Sequence, residues 1–127
     1  MNEAFSFGSE PVIRTVMMPR DTNMHGTIFG GVILSHIDQA AGAVAHARAR
    51  GPVVTLKVEE VIFRAPVMVG DLLSVYAQVE NVGRTSIRVS VQVYATRPET
   101  GARTHVTSAQ LTFVAVGPDR RPIPIPE

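Results

Sequence analysis

From Phe29 to Ala47 the chain reads Phe-Gly-Gly-Val-Ile-Leu-Ser-His-Ile-Asp-Gln-Ala-Ala-Gly-Ala-Val-Ala-His-Ala, and Asp38 is the one carboxylate in the run. Nothing there stops a helix except tolerable glycines. Ile33, Ile37, Ala40, Ala41, Val44, Ala45 and Ala47 leave no broad polar face, so the pattern predicts a helix buried nearly all round. An ionised side chain in such a place is costly unless it is paired, hydrogen-bonded or open to a wet cleft. Those conditions also suit a catalytic acid or base, which makes Asp38 the first candidate for chemistry. Its plainer reading is a structural carboxylate at an interface.

The elements that must hold Asp38 follow from punctuation on either side. Asp21-Thr22-Asn23-Met24-His25-Gly26 is rich in turn and cap residues, so the first helical turn falls near Phe29 to Gly31. The helix ends near Arg50-Gly51-Pro52, where glycine and then proline stop it and Arg48 and Arg50 suit the negative end of its dipole. Before it, Val12 to Met18 is a short β-prone run closed by Pro19.

After it come four β-prone segments, Val53 to Phe63, Asp71 to Val82, Thr85 to Thr96 and His105 to Val116. Leu73, Val75, Ala77 and Val79 alternate with polar residues, as do Ile87, Val89, Val91 and Val93, and Ala109, Leu111, Phe113 and Ala115 are expected inward. Short turns at Val69-Gly70-Asp71, Asn81-Val82-Gly83 and Arg97 to Gly101 predict a meander of four antiparallel strands. One helix and one sheet with an apolar face predict an α+β fold in which a curved antiparallel sheet wraps the helix. Residues 1–127 read as a single domain, with its core at about 12–116 and an extended, proline-rich tail over 117–127.

Composition narrows the function classes. The 127 residues suffice for one domain, and 45% hydrophobic with 18% charged residues describes an ordinary folded protein. A net charge of +1 argues against a nucleic-acid partner. Cysteine is absent, which excludes disulfides, thiolate nucleophiles and Cys-based metal sites and fits the cytoplasm. Met1 to Glu10 lacks the basic start and apolar stretch of a secretion signal, and a helix interrupted by Ser35, His36, Asp38 and Gln39 is a poor membrane span. His25, His36, His46 and His105 show no metal-ligand spacing, and most read as surface or interface residues. There is no G-x-S-x-G elbow and no phosphate-binding loop with its lysine.

The order and spacing of several motifs resemble the hotdog-fold acyl-CoA thioesterases, in the group of the bacterial YciA-type and the tandem-domain cytosolic acyl-CoA hydrolases. The resembling residues are Met18-Pro19 with Asp21, Asn23 and Gly26, then Ile28-Phe29-Gly30-Gly31, Ile37-Asp38 and Val53-Val54-Thr55. Phe63, Pro66, Val69-Gly70-Asp71 and Val82-Gly83-Arg84-Thr85-Ser86 continue it, over roughly Val12 to Val116. The resemblance implies hydrolysis of an acyl-CoA thioester to a free acid and CoA, by a dimer often built into a trimer of dimers. It implies no cofactor, since CoA is part of substrate and product, and no metal. It marks as functional Asn23, the amide at Phe29-Gly30-Gly31, and Asp38, and sets Gly83, Arg84, Thr85 and Ser86 near bound CoA. Arg64 is a weaker candidate of the same kind. Position 42, where some relatives use a hydroxyl residue, is Gly.

The chemistry of these residues fits. Free amides at a helix N-terminus stabilise an oxyanion, Asn23 supplies a second donor, and Asp38 either attacks the carbonyl or deprotonates a water. Asn23 also reads as a plain loop or cap residue, Gly30-Gly31 as a site of close packing, and Arg84-Thr85-Ser86 as a solvated hairpin start. Gly30 and Asp38 are eight residues apart, about 12 Å along one helix, so both act on one thioester only if they come from different subunits. Two other readings of the same fold remain: a hydratase or dehydratase of acyl thioesters, which places a His at the reacting centre, and a non-catalytic acyl-CoA sensor.

Overall fold

The computed structural model describes residues 10–127, so the reading of the stretch before Glu10 lies outside it. The elements in chain order are β1 (Ile13–Val16), a short 3-10 turn (Pro19–Asp21), α1 (Gly30–Ala49), β2 (Val53–Phe63), β3 (Leu72–Val82), β4 (Ser86–Thr96) and β5 (Arg103–Ala115). The strands form one antiparallel sheet in the order β1-β3-β4-β5-β2, and α1 packs against β2, β3, β4 and β5. The expected α+β architecture, a curved sheet around one helix, is the architecture observed.

Alternation places the core where the sequence put it. Leu73 and Val75 of β3, Val89, Val91 and Val93 of β4, and Ala109, Leu111 and Phe113 of β5 are buried under Ile33, Ile37, Ala40, Ala41, Ala45 and Ala49 of α1. The alanines let the helix lie close to the sheet, and each fully buried Val, Leu or Ile contributes about 2 kcal/mol of transfer free energy. At the C-terminus of α1 the left-handed residue is Arg50 (φ 59) rather than Gly51, and its N–H donates to the His46 carbonyl. Beyond β5 the tail is not extended throughout, as expected over 117–127: it reverses in a turn at Gly117 to Arg121, bridges Val116 to Pro122, and only then runs without regular structure through Pro122, Pro124 and Pro126.

Two further expectations need correction. The four-strand meander is a three-strand meander, β3-β4-β5, because β2 pairs with β5 at the far edge and β1 takes the place beside β3. Residues 64–71 therefore cross the end of the sheet instead of turning back. Arg64 N–H still bonds Val106, the Val67 carbonyl accepts from Ile28 N–H, and Gly70 N–H reaches Met17, so the segment is held by the loop before α1 and the end of β1. Buried Asp71 locks its end, accepting from Met68 N–H at 2.9 Å and from Arg97 Nε at 2.7 Å, and raising the Arg97 pKa first through that hydrogen bond and then through its charge. The second correction concerns α1, which buries one face only. Gly31, Ser35, Gln39, Ala43, His46 and Ala47 are exposed, because the sheet of a single chain covers half of the helix.

β2 is the exposed edge. Val54, Leu56, Val58, Ile62 and Phe63 all stand open, Leu56 at 62% and Phe63 at 50%, on a strand bent by two bulges. Among the described residues no helix is long and apolar enough to cross a membrane.

Candidate functional site

The loop from Asp21 to Phe29 is knitted by its own polar groups. Asn23 Oδ1 accepts from His25 N–H at 2.8 Å and from Thr27 N–H at 3.3 Å, while its Nδ2 donates to Thr27 Oγ1 at 3.0 Å. Two backbone donors on one oxygen fix which end of the amide is which. One N–H of Nδ2 is left over after Thr27 is served. Asn23 is thus the loop residue of the plain reading and at the same time a pinned donor.

The start of α1 is unusual. Phe29 is the N-cap and gives no side-chain cap. Its own N–H is taken by the Asp21 carbonyl at 2.8 Å, and Val32 N–H turns back to the Phe29 carbonyl at 2.9 Å. Gly30 and Gly31 lie between, with amides that find no acceptor among the described residues, at the positive end of a 20-residue helix. The ring of Phe29 folds over Gly31, where a Cβ would lie 2.8 Å from Phe29 Cε2. At Gly30 a Cβ would meet only the ring tip of Phe63, at an ordinary 3.6 Å.

Arg64 joins this end of the molecule. With Gly30, Ile28, Phe63, Pro66 and Val67 it lines an apolar pocket of about 350 Å³. Its charge also reaches His105, whose imidazole is pushed below the usual range by burial first and by Arg64 second, against a backbone hydrogen bond with Thr107 that raises it. His105 is no free surface residue: it is half-buried on the outer face of the sheet, stacked on Tyr94.

Asp38 projects from α1 two turns further on, half-buried and facing an open cleft of about 600 Å³ shared with Gln39, Gly42, Val53, Thr55 and Phe113. Thr55 pairs across the sheet with Phe113, a buried residue, so it faces the helix, and its Oγ1 donates to Asp38 Oδ1 at 2.9 Å. The cost of placing a carboxylate here is offset by that bond and by the opening. Thr55 is the residue that motif reading passed over: it stood in the resembling Val53-Val54-Thr55 stretch without a role, and parity along β2 was the signal.

The remaining candidates lie at the opposite end. Gly83, Arg84, Thr85 and Ser86 form the β3–β4 turn, closed by Gly83 N–H on the Ser86 carbonyl at 2.8 Å and tied to β5 through Ala115 N–H on the Thr85 carbonyl. One chain therefore brings Phe29, Gly30, Gly31 and Arg64 to one end, Asp38 with Thr55 to the middle, and the 83–86 turn to the end where α1 stops. It does not bring Gly30 and Asp38 together.

Comparison with known proteins identifies the family. The family model of the thioesterase superfamily matches residues 25–102. The acyl-CoA thioester hydrolase YciA of Salmonella typhimurium is 41% identical over 120 residues, covering 92% of this chain and 90% of that protein. Among solved structures, HI0827, a hexameric broad-specificity acyl-CoA thioesterase studied as its aspartate-to-alanine mutant, superposes with a TM-score of 0.90 at 40% identity, covering 94% of this chain and 88% of that one. Cj0915, a hexameric hotdog-fold thioesterase of Campylobacter jejuni, gives 0.89 at 41% identity, covering 98% and 93%. The chain thus belongs to the thioesterase superfamily, as a hotdog-fold acyl-CoA thioester hydrolase.

Proposed function

We propose that this chain hydrolyses acyl-CoA at a site shared between two copies, in which Asp38 of one faces the Gly30 and Gly31 amides of the other. The observation that carries this reading is the pair of amides at Gly30 and Gly31, without an acceptor among the described residues and about 10 to 12 Å from Asp38 along the same helix. Neither half can work alone. The free edge of β2, with its open apolar residues, is the surface on which a second copy pairs antiparallel and brings the two helices side by side. Three such dimers would give the hexamer that HI0827 and Cj0915 form.

In this site the thioester oxygen takes hydrogen bonds from the Gly30 and Gly31 amides, and Asn23 Nδ2 offers a further donor. The Asp38 carboxylate then acts in one of two ways. It adds to the carbonyl carbon, expelling CoA thiolate and leaving a mixed anhydride that water cleaves, or it removes a proton from the water that adds. Thr55 holds Oδ1 in both cases and leaves Oδ2 for the reaction. It gives the carboxylate a hydroxyl partner from β2, where Gly42 of the helix has none to give. Arg84 and its turn take the CoA phosphates, Arg64 assists at the opposite end, and no cofactor or metal is required. A chain without cysteine suits the cytoplasm.

A thiol-release assay with acyl-CoA esters tests this. Wild type turns over, and Asp38→Ala retains binding but loses at least about a hundredfold in kcat. Binding without turnover in the wild type, or full turnover in Asp38→Ala, overturns the reading.

A further inference from the structure

The proline-rich tail is tied to three different elements. After a tight turn, in which Arg120 N–H reaches the Gly117 carbonyl and Gly117 N–H that of Arg121, the chain doubles back. Ile123 N–H donates to the Ala115 carbonyl at 2.9 Å, Ile125 N–H donates to the Arg84 carbonyl at 2.9 Å, and the Pro126 carbonyl accepts from Arg48 Nη1 at 2.7 Å. The end of β5, the β3–β4 turn and the last turn of α1 are thereby joined. Pro122, Pro124 and Pro126 stiffen this stretch and remove its other amide donors, so from 122 to 126 only Ile123 and Ile125 have an N–H to give. Both are used, and one goes to Arg84.

The turn needs that bond. Gly83 to Ser86 is closed by a single hydrogen bond, and β5 holds the Thr85 carbonyl. The Arg84 carbonyl is engaged by the tail. Without it, the Arg84 carbonyl has no partner among the described residues, and the backbone that carries the arginine side chain loses its restraint from the tail.

We infer that residues 122–126 form a strap whose Ile125 amide positions Arg84 for the phosphates of CoA. This rests on the reading of Arg84 as a phosphate contact. Arg48, beside the strap, is ten residues from Asp38, about 15 Å along the helix, so the strap acts on the nucleotide end of the substrate and leaves the reacting carbonyl alone.

The test compares Ile125→Pro, which deletes the N–H in a segment already extended, with Ile125→Ala, which loses the side-chain packing but keeps the N–H. Each is assayed with an acyl-CoA and with the same acyl group on N-acetylcysteamine, which has no nucleotide. Relative to Ile125→Ala, Ile125→Pro raises KM for acyl-CoA about fivefold with kcat within about twofold, and KM for the short thioester is unchanged. Equal KM values for the two variants with acyl-CoA overturn the strap, and so does an equal rise with both substrates, which marks general distortion. Arg84→Ala separates this failure from that of the underlying reading. If it raises KM for acyl-CoA while Ile125→Pro does not, the strap falls and the phosphate contact stands. If Arg84→Ala leaves KM unchanged, the phosphate contact itself falls and takes the strap with it.

Discussion

Two disabling substitutions, mixed, test whether the site is shared. Gly30→Pro removes one amide proton at the first helical position of α1, a place where proline is well tolerated because the N–H has no partner in the helix. Phe29 precedes it at φ −60 and ψ 130, the extended region that a residue before proline adopts, and the nearest contact of a Cβ at position 30 is an ordinary 3.6 Å. The fold should therefore survive. Loss of one oxyanion donor costs about a hundredfold to a thousandfold in kcat, or about 3 kcal/mol of transition-state stabilisation. Asp38→Ala removes the carboxylate proposed to react. When the two inactive proteins are unfolded together in equal amounts and refolded, half of the dimers are mixed, and each mixed dimer has one intact site of two. Activity should return to about one quarter of wild type, far above either variant alone. If each chain contained its own complete site, every site in the mixture would carry a lesion and nothing would return. No recovery despite demonstrated mixing, or an unaffected rate in Gly30→Pro, refutes the reasoning.

Two further outcomes follow from the geometry. Thr55→Val keeps the shape of the side chain but leaves Asp38 Oδ1 without its donor, and kcat should fall about tenfold with KM nearly unchanged; a wild-type kcat would show that the bond is incidental. His105 is held below its usual value of 6.5, so the unfolded chain takes up a proton more readily than the folded one. Stability should be full above about pH 6.5 and decline as pH falls toward the folded value, and His105→Gln should flatten that decline in urea unfolding followed from about pH 7.5 to pH 5.

The helix and the strands could be read from the chain because their signals are local. Proline and glycine end each segment, and alternation sets the inward face of β3, β4 and β5, so the boundaries differ from the expected ones by at most two or three residues. The place of β2 had no local signal. A short Val-Gly-Asp turn predicts a hairpin, yet residues 64–71 are captured by Ile28, Met17 and Arg97, which come from far away in the sequence. The half-exposed helix misled for a related reason. A run with small and apolar residues on every side means burial, but its covering need not come from the same chain, and here the sheet supplies half of it.

Gly30 gives the same lesson at the site. Ser, Thr, Asp or Asn before the helix would have capped it and contributed about 1 kcal/mol, and alanine in place of either glycine would have added up to about 1 kcal/mol more. The chain instead starts α1 with Phe29-Gly30-Gly31. At Gly31 a Cβ would press on the ring of Phe29 as it lies, so glycine there lets that ring fold over the helix start. Gly30 is not explained in that way, because a Cβ there would make an ordinary contact. A weak, uncapped helix start with a glycine that its own neighbours do not require is the mark of an approach from outside the chain. Asp38 makes the complementary demand, with one oxygen held by Thr55 and its side chain lining an open cleft. In the proposed site each half lacks what the other offers, and the helix that separates them by two turns lets them meet only across two copies.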